Sequence, residues 1–150
     1  MQPGRSLIKE VIMKRQQKYP ETSAFHYYNA NPHNRFGGDC VVRALCTAMN
    51  QTWEQTVREL TELGIKYGYL LNDDKCYAKY LEQKGWVKHK QPRMWDNTKL
   101  TGKDFCSIVD KSKPVIAHIG GHHIVAIVNG QVNDIWDSTD GCIGNYWIKE

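Results

Sequence analysis

Five consecutive apolar residues, Ile124 to Val128, run directly into Asn129-Gly130. That dipeptide is a strong signal for a two-residue turn, because both positions tolerate the left-handed backbone such turns need. β-Branched residues dominate the run, so it reads as a buried strand. Gln131 to Trp136 reads as the return strand, ending at Asp137. A hairpin of this kind leaves little freedom, since the two strands must lie side by side in one sheet. A residue opening the first strand is brought near one closing the second. His123 and Asp137 hold those positions.

A second constrained stretch runs from Asn34 to Asn50. Gly37-Gly38 loosens the backbone, and Asp39 is a favoured residue type for a helix N-cap. Cys40 follows at the expected first helical position. Val41, Ala44, Leu45 and Ala48 then recur at helical spacing, as on a buried helix. Free N–H groups and the helix dipole favour a thiolate at such a position. Asp39 opposes this, because a neighbouring carboxylate disfavours a thiolate, unless it is turned into the helix start as a cap. Cys40 therefore reads either as a nucleophile or as a buried structural thiol.

A nucleophilic thiol needs a base and a group to orient that base. His122 and His123 compete for the first role, and adjacent strand residues point to opposite faces, so only one can face Cys40. Asp137 is the expected orienting acid. Asp134 falls mid-strand and Asp140 lies in an Asp-Gly turn, so each has a simpler structural reading. His118 reads as a strand residue packed against a neighbour. A zinc site from His118, His122, His123 and Cys142 fits no established ligand spacing, so no metal or other cofactor is expected.

The ordered set Asn34, Cys40, His123, Asp137 resembles the papain-like cysteine peptidase superfamily. It is most similar to its compact bacterial branch, such as the bacteriocin-leader peptidase domains of exporters. In that branch a Gln six residues before the nucleophile helps form the oxyanion hole, and the base opens a hydrophobic strand. The resemblance thus selects His123 over His122 and implies that the Asn34 amide, with the Cys40 N–H, holds the oxyanion. Asn is shorter than the family's Gln, and the Cys–His interval is shorter than in papain. The words Asp39-Cys40-Val41-Val42-Arg43-Ala44-Leu45 and Asn145-Tyr146-Trp147 also resemble a family of small phage and prophage proteins of gut bacteria, over residues 25–150.

The chain of 150 residues is one domain's worth, with 41% hydrophobic and 24% charged residues. No apolar run approaches the ~18 residues of a membrane span, and the charged start carries no signal-peptide core. Five cysteines in no metal-type pairs fit a reducing, cytoplasmic compartment, the host cytoplasm if the chain is phage-encoded. The net charge of +4 is confined to residues 1–18, where five basic residues face Glu10; beyond them 15 basic residues balance 15 acidic ones. That distribution gives no strong nucleic-acid signal.

Residues 1–20 read as a basic helical segment, capped at Ser6, stopped by Pro20, and docking through Leu7, Ile8, Val11 and Ile12. Residues 21–150 form the main domain. Loop signals fill 21–38. Helices are expected over 40–50, from Thr52 with a capping box to about Tyr67, from Asn72-Asp73-Asp74 to Gly85, and from Thr101 with Phe105, Ile108 and Val109 inward. Strands are expected at 86–89, 115–119, 123–128, 131–136 and 145–148. This is an α+β order, with N-terminal helices packed on a C-terminal antiparallel sheet, and it matches the papain-like fold.

These readings imply a cysteine peptidase or isopeptidase acting on a peptide or protein substrate. Two alternatives stay open. One is a phage-encoded binding protein that grips a host partner on the same scaffold. The other is a thiol amidase or acyltransferase, including an NlpC-type wall amidase.

Overall fold

A computed structural model describes residues 3–150. Its elements are α1 (Pro3–Lys18), β1 (Phe25–Tyr27), α2 (Cys40–Met49), α3 (Trp53–Tyr67), α4 (Asp74–Gln83), β2 (Trp86–His89), α5 (Gly102–Ile108), β3 (Val115–Ile119), β4 (His123–Val128), β5 (Gln131–Asp134) and β6 (Ile143–Lys149). The architecture is α+β. Six strands form one sheet in the order β1-β5-β4-β3-β6-β2.

The sheet is mixed rather than wholly antiparallel. β1 pairs parallel with β5, and every other pairing is antiparallel. Residues 25–27 lie in the stretch expected to be loop. Three residues between turn signals are too few to show a period, yet Phe25 is fully buried and holds that edge in place.

Side chains alternate across the central strands. Ile116, Ile124, Ala126 and Trp147 pack with Val41, Leu45, Leu60, Tyr77 and Leu81 from α2, α3 and α4. Val115, Ala117, Ile119, Val125 and Ile127 pack on the other face with Phe25, Leu100 and Phe105. β3 and β4 are therefore covered on both faces, which is why they read as unbroken apolar runs.

The helix ends follow local chemistry. Thr52 Oγ1 accepts from the Gln55 N–H at 3.0 Å, but the Gln55 side chain turns to Glu59, so the expected capping box is half made. Asp73 caps α4 by accepting from the Lys75 N–H at 2.8 Å. Thr101 and Asp104 form a complete capping box on α5. Ile108, expected inward, is exposed, and Cys106 packs inward with Phe105.

α1 departs furthest from expectation. Leu7, Ile8 and Val11 are exposed rather than docked, and Ile12 is part-buried. The helix is held at its C-terminal end, where Arg15 donates to the Ile135 carbonyl and its guanidinium lies 4.6 Å from the Phe36 ring centre. Met1 and Gln2 lie outside the described residues, and the helix begins at Pro3 rather than after the expected cap at Ser6.

Candidate active site

The turn after β4 has φ of 55° at Asn129 and 73° at Gly130, the left-handed pair a tight hairpin requires. It sets Val128 opposite Gln131, Ile127 opposite Val132 and Ala126 opposite Asn133. Continuing that register puts Asp134 opposite Val125, on the face His123 shares, whereas Asp137 would match His122 on the other face. Asp134, the last residue of β5, is the carboxylate that reaches His123, although the Val125 face is the one turned away from α2.

His123 Nε2 lies 2.5 Å from Asp134 Oδ2. The expected partner, Asp137, is engaged elsewhere, because its Oδ1 accepts from the Thr139 N–H at 2.9 Å and from the Thr139 hydroxyl. The return strand also stops at Asp134, short of the expected Trp136. Asp137 is therefore corrected from orienting acid to turn anchor. Asp140 is exposed and pairs with Lys103 at 2.7 Å.

Cys40 opens α2 and is half-buried. Burial pushes its thiol pKa up, but the His123 ring, the Ile124 N–H and the Arg43 charge outweigh it, so the pKa lies below the ordinary thiol value. Burial pulls the other way on His123. It disfavours imidazolium, yet the Asp134 carboxylate and Cys40 raise the ring's pKa to about 9. Each group thus favours the charged form of the other, as in a thiolate–imidazolium pair. With Nε2 on Asp134, Nδ1 is the ring nitrogen left to serve Cys40. The Trp136 ring lies 5.0 Å from the imidazole and covers it at a tilt of 37°.

The other thiols behave differently. Burial pushes Cys46 and Cys106 up to about 11 and raises Cys76 as well. Cys142 is exposed.

Asp39 is the N-cap residue of α2, but its side chain caps no N–H. Its Oδ1 accepts from Arg43 Nε at 2.9 Å, and its Oδ2 accepts from the Asn31 amide at 2.9 Å and the Trp53 indole at 3.0 Å. Arg43 also donates from Nη1 to Asp134 Oδ1 at 2.6 Å. The carboxylate beside Cys40 is therefore paired to a cation, which removes the objection the sequence raised. The first turn of α2 keeps backbone N–H groups without a side-chain cap, next to the thiol.

Asn34 sits in a turn with φ of 54°, its N–H donating to the Asn31 carbonyl at 3.0 Å. Among the described residues its side-chain amide makes no hydrogen bond, and the left-handed backbone is what an Asn turn provides. His122 is exposed. His118 packs as expected, with Nε2 2.8 Å from the Tyr77 hydroxyl, which in turn donates to Asp74 at 2.6 Å. His118, His122, His123 and Cys142 do not converge, and among the described residues no three His, Cys, Asp or Glu gather as a metal site.

The structure engages His123 with Asp134 in place of Asp137, and Cys40 and His123 act on each other's pKa. Asp134 was set aside in the sequence reading as a mid-strand residue, and no site role was given there to Arg43, Asn31 or Trp53. One signal pointed to them: the i,i+4 spacing of Asp39 and Arg43 on one helix face. Comparison with protein-family models, curated proteins and solved structures finds no match to this chain.

Proposed function

We propose that this chain is a cysteine-dependent hydrolase on a papain-like scaffold, cleaving a peptide or isopeptide bond through an acyl-enzyme on Cys40. The observation that carries the reading is Cys40 at a helix start beside His123, with Asp134 behind the ring. The Cys40 thiolate attacks the carbonyl carbon and the carbonyl electrons move to oxygen. The Cys40 backbone N–H and the uncapped first turn of α2 hold that oxyanion. The His123 imidazolium gives its proton to the leaving amine as the amide bond breaks, leaving a thioester. His123, now neutral, takes a proton from water; the hydroxide attacks the thioester, and the thiol is regenerated with release of the acid. Asp134 keeps the ring oriented throughout. The Asn34 amide is a second oxyanion donor in this reading, and retained turnover in Asn34→Ala would assign the oxyanion to backbone alone. Five free thiols fit action in a reducing compartment.

The test is site-resolved alkylation. Iodoacetamide at pH 6, with peptides mapped by mass, should label Cys40 ahead of Cys142, and His123→Ala should remove that advantage. A Cys40 that reacts no faster than Cys142 overturns the proposal.

A further inference from the structure

We propose that Arg43 is a positioning residue of this site: its guanidinium fixes Asp134 behind His123 and thereby sets the thiol–imidazole pair. This rests on the reading of Cys40 and His123 given above.

The geometry divides the work of Asp134 between its two oxygens. Oδ1 is taken by Arg43 Nη1 at 2.6 Å and by the Ile135 N–H at 2.7 Å, which leaves Oδ2 to His123. A carboxylate held this way has one orientation. Arg43 is itself fixed, because Nε is bound to Asp39, whose other oxygen is occupied by Asn31 and Trp53. Loop, helix and hairpin thus meet in one chain of bonds that ends at the imidazole. The side chains are nearly sealed from water, at 8% exposure for Arg43 and 2% for Asp134.

Charge balance points the same way. Two buried carboxylates, Asp39 and Asp134, share one guanidinium. A second cation is needed to balance them, and the protonated His123 ring is the one in contact. Asp39 and Arg43 therefore do more than hold the fold. The two carboxylates favour the imidazolium, the form that supports a thiolate, and Arg43 holds Asp134 where its free oxygen meets the ring. Arg43 also acts on Cys40 through its own charge. A lysine keeps the charge but cannot donate in two directions from one rigid plane, and a glutamine keeps a donor without charge.

The experiment follows the rate of Cys40 alkylation by iodoacetamide from pH 4 to 10 in the full chain, with thermal melts as the folding control. The expected result is a thiolate titration moved up by about one pH unit or more in Arg43→Gln, a tenfold lower rate on the acid side. Arg43→Lys should show a smaller shift in the same direction. Folded variants whose profiles overlay the wild type overturn the proposal, even if their melts are lowered. If neither Arg43 variant folds, Asp39→Asn decides: removing one carboxylate weakens the demand for imidazolium, so an upward shift supports the role and an unmoved profile overturns it. A wild-type Cys40 that titrates like an ordinary thiol would instead sink the nucleophile reading, which separates the two failures.

Discussion

Asp134 and Asp137 have the same chemistry and lie three residues apart, so the difference between them is a test of geometry alone. Asp134→Asn keeps the shape but removes the charge that orients His123, and a triad acid lost in this way costs orders of magnitude in turnover. Under the proposed function, hydrolysis falls at least about 100-fold in Asp134→Asn and stays within about twofold in Asp137→Asn, measured as kcat/KM on a cleavable peptide. Equal losses would mean that contact with His123 is not what selects the acid. The His123 pKa of about 9 also has a consequence for stability. A pKa raised above its unfolded value adds stability that is complete below the ordinary imidazole value and is lost as pH rises through the folded one. Cys40, with a lowered pKa, works in the opposite sense, so the effect is isolated in Cys40→Ala. There, with Asp134 alone still raising the ring, the Tm advantage over Cys40→Ala/His123→Gln should shrink as pH rises above the ordinary imidazole value. An advantage that is flat across that range would show that His123 is not held as imidazolium by Asp134.

At the scale of elements, the central features were legible because their signals are local. An unbroken β-branched run, Asn129-Gly130, Asp73, Thr101 and the Val41–Ala48 spacing each name their own structure. β1 was hidden because its pairing with β5 is parallel and distant in sequence, and three residues carry no period. The site was half legible. Cys40 was offered by its place before a buried helix and His123 by the resemblance, but Asp134 was set aside as mid-strand when it is the last residue of β5. Arg43 was concealed by the apolar words around it, since a buried guanidinium on an otherwise buried helix looks like a surface residue until its two carboxylates are in place. Turn chemistry can be tested directly. At Gly130, with φ of 73°, an added Cβ would lie 3.0 Å from the Lys111 side chain and 3.3 Å from the Cys106 carbonyl. Gly130→Ala should cost about 1–2 kcal/mol by denaturant unfolding. Gly64→Ala should cost more, about 2–4 kcal/mol, because its Cβ would fall 2.2 Å from the carbonyl oxygen of Tyr69, whose N–H donates to the Gly64 carbonyl at the end of α3.

At the scale of the whole molecule, two apolar layers share the faces of one sheet, and the charged chain from Asn31 to His123 ties the loop before α2 to the hairpin. α1 stands outside both layers for most of its length. Its attachment is concentrated at Arg15, on the Ile135 carbonyl and the Phe36 ring, and at Tyr19, which packs on the second layer. Burial, rather than helix length, decides what such a segment contributes to stability. Removing residues 1–14 discards the exposed Leu7, Ile8, Val11 and Met13 and should leave Tm within about 2 °C of the full chain. Removing residues 1–19 discards the anchored end as well, and should lower stability by about 2 kcal/mol, which for a domain of this size is roughly 4–8 °C. Neither truncation touches the bond from Arg43 to Asp134, so the pH at which Cys40 begins to alkylate should be the same in all three forms. A large loss of Tm from the shorter truncation would show that the exposed face of α1 is covered in solution, and a moved alkylation profile would show that the anchor at Ile135 reaches the adjacent Asp134.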